Sequence, residues 1–187
     1  PETKVLYTEG DARLADAAGY LAGRLSLAFG KTVSAGPTEA VDAVPGAILM
    51  TTAQADPELG EEGYLLAVTD KGIVVRAPKA AGAFYGAITL LQLAPPEAFR
   101  APAMVEGKLG GRQTVPPPRP ADNPNVSTAA PVERLIVPSA TVWDKPRFGW
   151  RGLLIDPARH YWTIDELKQY VDYLALHKLN KMQVHFT

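Results

Sequence analysis

The residues of this chain best suited to bind a polar substrate or move a proton lie between Arg151 and Thr187. Arg151 stands just before the apolar run Gly152-Leu153-Leu154-Ile155, and Asp156, Arg159 and His160 follow that run. His185 lies within a second, more mixed run, Lys181 to Phe186. An arginine presents a planar fork of donors and stays charged at any working pH, which suits a pair of vicinal hydroxyls. A carboxylate and an imidazole nearby could position a substrate or carry a proton. Each residue also has a plainer reading. Arg151 at a strand start could pair with a surface carboxylate, and Asp156 and Arg159, three apart, could satisfy each other and shape a loop. His160 fits packing beside Tyr161 and Trp162, and His185 fits a polar lining position.

Other chemistry is limited. The chain has no cysteine, which excludes a thiol nucleophile, a thiolate metal site and a disulfide scaffold. Its three histidines, His160, His177 and His185, are too scattered for a metal site, and His177 falls on the inner face of a helical pattern. No metal and no cofactor is implied. Trp143, Trp150, Tyr161 and Trp162 crowd around the first run, as sugar-stacking rings or as domain packing.

The elements that must position these residues form a β-α-β unit. The Gly152–Ile155 run reads as a parallel strand buried on both faces. Thr163 and Glu166 form a capping box for the helix that follows, with Leu167, Tyr170, Val171, Leu174 and His177 on one face. Lys178 sits in its last turn, and Asn180 is the expected left-handed terminator. Lys181 to Phe186 is the second strand, necessarily parallel to the first with a right-handed crossover. Gln183, His185 and Thr187 share one side of it. Such a unit cannot bury its own sheet edges, and barrels solve this by closing. The remainder of the barrel is therefore expected in cis after Thr187 or as a second chain. In a barrel, sites sit at the C-terminal ends of strands, so position alone favours Asp156, Arg159 and His160 over Arg151.

Upstream, the pattern predicts a strand at Val5–Tyr7 and a helix over about 12–29, with Asp11 as its N-cap and Gly30 ending it. Leu14, Ala17, Ala18, Leu21 and Leu25 make its apolar stripe. A buried strand follows at Gly46–Thr51, then a hairpin of Tyr64–Val68 and Ile73–Arg76. A second helix runs to Leu93 before Pro95-Pro96, with Gly82 and Gly86 on one face implying close packing on a sheet. This is a small α/β sandwich with helices on one face, over residues 1–94. Nine of the 17 prolines fall in 95–131, which reads as a linker or surface excursion. The stretch 132–145 can rejoin the first sheet, with Val132–Val137 as the expected strand. The barrel start occupies 146–187.

Nineteen basic residues against 20 acidic give a net charge of -1, with no basic stripe, so neither nucleic acid nor a membrane surface is an expected partner. Neutral substrates such as sugars suit this surface better. The chain opens on Pro1 rather than Met, which fits a removed export signal, and the expected compartment is the periplasm or the exterior.

Two stretches together resemble the glycoside hydrolase family 20 β-N-acetylhexosaminidases. Leu59–Leu93, LGEEGYLLAVTDKGIVVRAPKAAGAFYGAITLLQL, is similar to the end of the small domain that precedes the barrel in that family. PRFGWRGLLIDPARHYW and HKLNKMQVHF resemble its first barrel strand and its second. The resemblance implies an incomplete (β/α)8 TIM barrel and an amino-sugar glycoside as substrate. It implies retaining, substrate-assisted removal of terminal N-acetylglucosamine or N-acetylgalactosamine, an exception to the two-carboxylate template. The catalytic Asp-Glu pair would lie on a later strand, so this chain alone is expected to be inactive. Arg151, in the Trp-Arg-Gly motif, is the site residue the resemblance carries over, with Asp156, Arg159, His160 and His185 beside it. Two rivals remain: another barrel glycosidase with the same small domain, of the O-GlcNAc hydrolase type, and a non-catalytic glycan-binding module.

Overall fold

The computed structural model describes residues 3–95 and 133–187. The proline-rich 95–131 stretch lies outside the described residues apart from Pro95.

Strand β1 (Lys4–Thr8) leads into helix α1 (Ala12–Phe29). The Asp11 side chain caps the helix by accepting from the Arg13 N–H, and Gly30 ends it in the left-handed region at φ 62°. Leu14, Ala17, Ala18, Leu21 and Leu25 are all buried, as their spacing requires. β2 (Ala35–Thr38) and β3 (Ala47–Thr51) flank β1, both parallel to it. A single turn of 3₁₀ helix at Pro57–Leu59 precedes the hairpin of β4 (Tyr64–Thr69) and β5 (Gly72–Arg76). α2 (Ala80–Leu93) follows, and β6 (Ala140–Asp144) returns to pair antiparallel with β4. The six-stranded order is β2-β1-β3-β5-β4-β6.

Helices α1 and α2 lie side by side on one face, with Tyr20 and Phe84 in ring contact at 5.1 Å. Two glycines let α2 approach the sheet. A Cβ on Gly86 would fall 2.4 Å from Val75 Cγ1, and one on Gly82 would fall 2.1 Å from the Gly63 carbonyl oxygen. Arg76, at the end of β5, ties two loops together by donating to the carbonyls of Val41 and Ala53.

The chain rejoins this sheet later than its alternation predicts. Residues 133–137 join no ladder, and Leu135 and Val137 pack against the core instead. The strand is β6, at 140–144.

Strand β7 (Gly152–Ile155), helix α3 (Ile164–Leu176) and strand β8 (Lys181–Val184) form the second unit, with β7 and β8 parallel in register Gly152↔Lys181 to Ile155↔Val184. The capping box is complete: Thr163 accepts from the Glu166 N–H, and the Glu166 carboxylate accepts from the Thr163 N–H. That pairing holds the Glu166 carboxyl below its usual range. Among the described residues this sheet has two strands, so Leu153, Leu154 and Met182 remain 40–54% exposed and β7 is not covered on both faces. α3 lies against α2, with the Gln92 side-chain amide donating to the Leu176 carbonyl at 2.9 Å.

Candidate active-site fragment and domain junction

The residues nominated by type and spacing separate into two groups, one at each end of β7. At its C-terminal end, Asp156 starts a turn closed by the His160 N–H donating to the Asp156 carbonyl at 3.2 Å. Its Oδ1 accepts from the Arg159 N–H at 3.1 Å, and its Oδ2 pairs with the Arg159 guanidinium. His185 follows β8 directly, its N–H donating to the Ile155 carbonyl at 3.0 Å. Its Nδ1 therefore stands 3.3 Å from Asp156 Oδ2 and 3.1 Å from Arg159 Nη1. With Nδ1 bare it accepts from Arg159; protonated, it donates to Asp156. Nε2 faces the Thr187 hydroxyl at 3.4 Å, so His185 and Thr187 share a side.

Arg159 and His185 together hold Asp156 charged, through the hydrogen bond from Arg159 first, and its carboxyl lies below the usual range. The pairing of Asp156 with Arg159 does not use up the arginine. Its side chain is 74% exposed, so part of its donor fork faces solvent at the strand end where barrel sites form. His160 shares this turn and is exposed, not packed beside Tyr161, which is itself 85% exposed.

Arg151 lies at the other end. Its Nε donates to the Lys178 carbonyl at 2.9 Å and its Nη1 to the Phe148 carbonyl at 2.7 Å. The same Nη1 is 2.8 Å from Glu62 Oε2, and the guanidinium lies 5.6 Å from the Tyr85 ring centre. Its side chain is only 17% exposed. An arginine committed to two carbonyls and a carboxylate has little left to offer a sugar. Asp156, Arg159 and His185 thus form one cluster at the C-terminal strand ends, whereas Arg151 lies at the other end of β7 and joins the domains.

Four further residues, Asn180, Lys178, Tyr64 and Asp144, complete this junction, and sequence reasoning gave them other roles or none. Asn180 is not the left-handed residue; its Oδ1 accepts from the Arg151 N–H at 3.0 Å and its amide donates to Glu62 Oε1 at 2.9 Å. Lys178 takes the left-handed conformation instead, at φ 54°. Its ammonium turns away from the helix end to donate to the Tyr64 hydroxyl at 2.7 Å and Asp144 Oδ2 at 3.2 Å. The Tyr64 hydroxyl in turn donates to Asp144 at 2.8 Å and lies 2.6 Å from Thr89 Oγ1.

Burial opposes charge on both carboxylates. The hydrogen bonds from Asn180 and Arg151 overcome it at Glu62, and those from Tyr64 and Lys178 at Asp144, so both carboxyls end below their usual range. Burial, reinforced by the Asp144 charge, pushes the Tyr64 hydroxyl well above its ordinary value. His177, expected inside, is exposed at the end of α3. The aromatics do not cluster: Trp143 and Trp150 stand beneath Lys145 and Lys181, whereas Trp162 packs on Tyr170 at 5.8 Å. An apolar cavity of about 290 Å³ in the six-stranded layer takes no lining residue from β7, α3 or β8.

A small α/β domain is seated on the N-terminal end of a parallel β-α-β unit, with a charged cluster at the opposite end, an order of parts that suits a leading domain followed by the opening strands of a barrel. Comparison with known proteins names the family. Residues 1–116 match glycosyl hydrolase family 20, domain 2, and residues 148–187 match the catalytic domain of the same family; the chain belongs to glycosyl hydrolase family 20. It is 32% identical to the β-N-acetylhexosaminidase of Cellulomonas fimi over 167 residues, covering 89% of this chain and 26% of that protein. It is 32% identical to a β-hexosaminidase of Porphyromonas gingivalis over 129 residues, covering 69% of this chain and 13% of the other. Among solved structures it is similar to a mutant Streptomyces plicatus β-hexosaminidase in complex with its product GlcNAc. The TM-score is 0.70 at 29% identity, covering 98% of this chain and 30% of that one. The chain thus spans about a quarter or less of the curated relatives it matches.

Proposed function

We propose that the protein to which this chain belongs is an exo-acting β-N-acetylhexosaminidase, and that Asp156, Arg159 and His185 contact its terminal amino sugar. The observation that carries this reading is the Arg159 fork, anchored on Asp156 yet open to solvent at the C-terminal ends of β7 and β8. Anchored in this way, the guanidinium keeps donors free for two neighbouring hydroxyls of a pyranose. The names of the Cellulomonas and Porphyromonas relatives, and the GlcNAc bound in the Streptomyces structure, support an N-acetylhexosamine as substrate.

The reaction proposed is retaining and substrate-assisted. The 2-acetamido oxygen attacks the anomeric carbon while a carboxylic acid protonates the leaving oxygen, and water then opens the resulting ring from the opposite face, the one the leaving group vacated. The general acid and the acetamido-orienting carboxylate belong to other barrel strands. The Asp156 carboxylate, paired with Arg159 and His185, is a binding anchor rather than a proton donor.

The test uses the full-length protein on two aryl β-glycosides, one of N-acetylglucosamine and one of glucose. Turnover of the first alone, releasing the β-anomer first by proton NMR, supports the reading. Equal turnover of both, or release of the α-anomer, overturns it. Saturable binding of N-acetylglucosamine without turnover points to the glycan-binding alternative.

A further inference from the structure

The sugar-facing cluster exists only in one register of β7 against β8, and the contacts that pin this register come from the other domain. The ladder between these strands is four residue pairs long. A slip of one residue in such a short ladder would turn His185 to the opposite face, because side chains alternate along a strand. The pin lies at its start. The Asn180 and Lys181 N–H groups both donate to the Arg151 carbonyl, at 2.8 and 3.1 Å, and Asn180 Oδ1 accepts from the Arg151 N–H. Asn180 and Arg151 are both held by the two oxygens of one carboxylate, Glu62, on the small domain. Four residues further along, the His185 N–H meets the Ile155 carbonyl and its ring meets Asp156 and Arg159.

We propose that Glu62 is a positioning residue for hydrolysis: acting through Arg151 and Asn180, it sets the β7–β8 register and so the placement of Arg159 and His185. The Lys178 ammonium, tied to Tyr64 and Asp144, fastens the same loop a second time. The small domain is thereby part of the catalytic apparatus without touching the substrate. This inference rests on the functional reading above.

The experiment is a double-mutant cycle in the full-length enzyme, at a temperature where every variant is fully folded. Glu62→Ala should lower kcat/KM on the aryl N-acetylglucosaminide about tenfold, since small misplacements of substrate-holding groups cost rate steeply. In an Arg159→Ala background the same substitution should cost no more than about threefold, because one of the two groups it positions is gone. Glu62→Gln, which keeps the bond with Asn180, should recover part of the loss. Equal tenfold losses in both backgrounds overturn the proposal, because a merely structural effect multiplies through. Hydrogen exchange tests the relay without activity, and separates its failure from that of the functional reading. Glu62→Ala should speed amide exchange in 181–187 while leaving β3 (Ala47–Thr51) unchanged. Uniform acceleration, or none, overturns it.

Discussion

Arg151 and Glu62 meet at 2.8 Å across the domain boundary, with side chains 17% and 21% exposed. Removing one partner of such a pair leaves the other's charge partly desolvated, and here also strips donors from the carbonyls of Phe148 and Lys178. Arg151→Ala should destabilise the protein by about 2 kcal/mol. Arg151→Lys should rescue little of this, because one ammonium cannot reproduce the planar fork. Thermal melts of the full-length variants measure both. A melt unchanged by Arg151→Ala would remove the junction role.

Arg159→Ala should behave oppositely. Its side chain is exposed and its ties are to Asp156 and His185. Stability should change by no more than about 0.5 kcal/mol, as for ordinary surface substitutions. The specificity constant kcat/KM should fall about a hundredfold, or ~2.7 kcal/mol of transition-state stabilisation. Steady-state kinetics beside a melting curve separates the two effects, and a melt that drops as far as that of Arg151→Ala would place Arg159 in the scaffold instead.

The contrast between these two arginines shows what the sequence could and could not reveal. Elements whose signals are local were legible: the Leu14–Leu25 stripe, the Thr163/Glu166 capping box, the hairpin turned at Thr69-Asp70-Lys71-Gly72, and the Gly82/Gly86 pair. Strand β2 escaped notice because Ala-Gly-Pro-Thr has few strand formers; it tolerates Pro37 because β2 is an edge strand. Leu135 and Val137 alternate like a strand, yet that periodicity serves packing against the core rather than pairing. The junction was illegible for a different reason. Lys178 finds Tyr64 114 positions away, and Asn180 finds Glu62 118 positions away. No local pattern encodes that. The favourable position of Lys178 for the helix dipole drew attention from its true partners.

Acid should loosen the junction. Glu62 and Asp144 have folded pKa values below their unfolded ones, so the unfolded chain binds more protons as pH falls. Their contribution is fully present above the ordinary carboxylate range and is lost as pH drops through the lowered folded values. Glu62 should dominate, since its side chain is 21% exposed against 46% for Asp144. Melting temperatures from pH 7 down to pH 3 should fall, with a shallower fall in Glu62→Gln. Parallel curves for wild type and Glu62→Gln would count against this.

Tyr64→Phe isolates one hydroxyl. That oxygen accepts from Lys178, donates to Asp144 and contacts Thr89, in a side chain only 1% exposed. The ring packing survives in phenylalanine, so the loss is that of hydrogen bonds to partners with few alternatives, about 1–3 kcal/mol. Pairing it with Thr89→Val should cost less than the sum, because the second change removes a group the first leaves unsatisfied. Chemical denaturation of the four proteins gives the coupling, and strict additivity would show that the two hydroxyls do not work as a pair.

Gly86→Ala sets helix propensity against packing. Alanine in the interior of α2 would favour the helix by about 1 kcal/mol. Its methyl, however, would lie 2.4 Å from Val75 Cγ1 and 3.0 Å from Tyr64 Cδ2. Val75 is fully buried and Tyr64 is held by its hydroxyl network, so neither can yield without moving α2 off the sheet. Overpacking of this kind costs about 1–3 kcal/mol, and the closeness of the contact places the net change on the destabilising side. The displaced Tyr64 would also draw its hydroxyl from Lys178, so loss of stability should come with faster amide exchange at 177–182. A Gly86→Ala protein more stable than wild type would show that α2 has room to shift, and that Tyr64 is not the rigid post on which the junction stands.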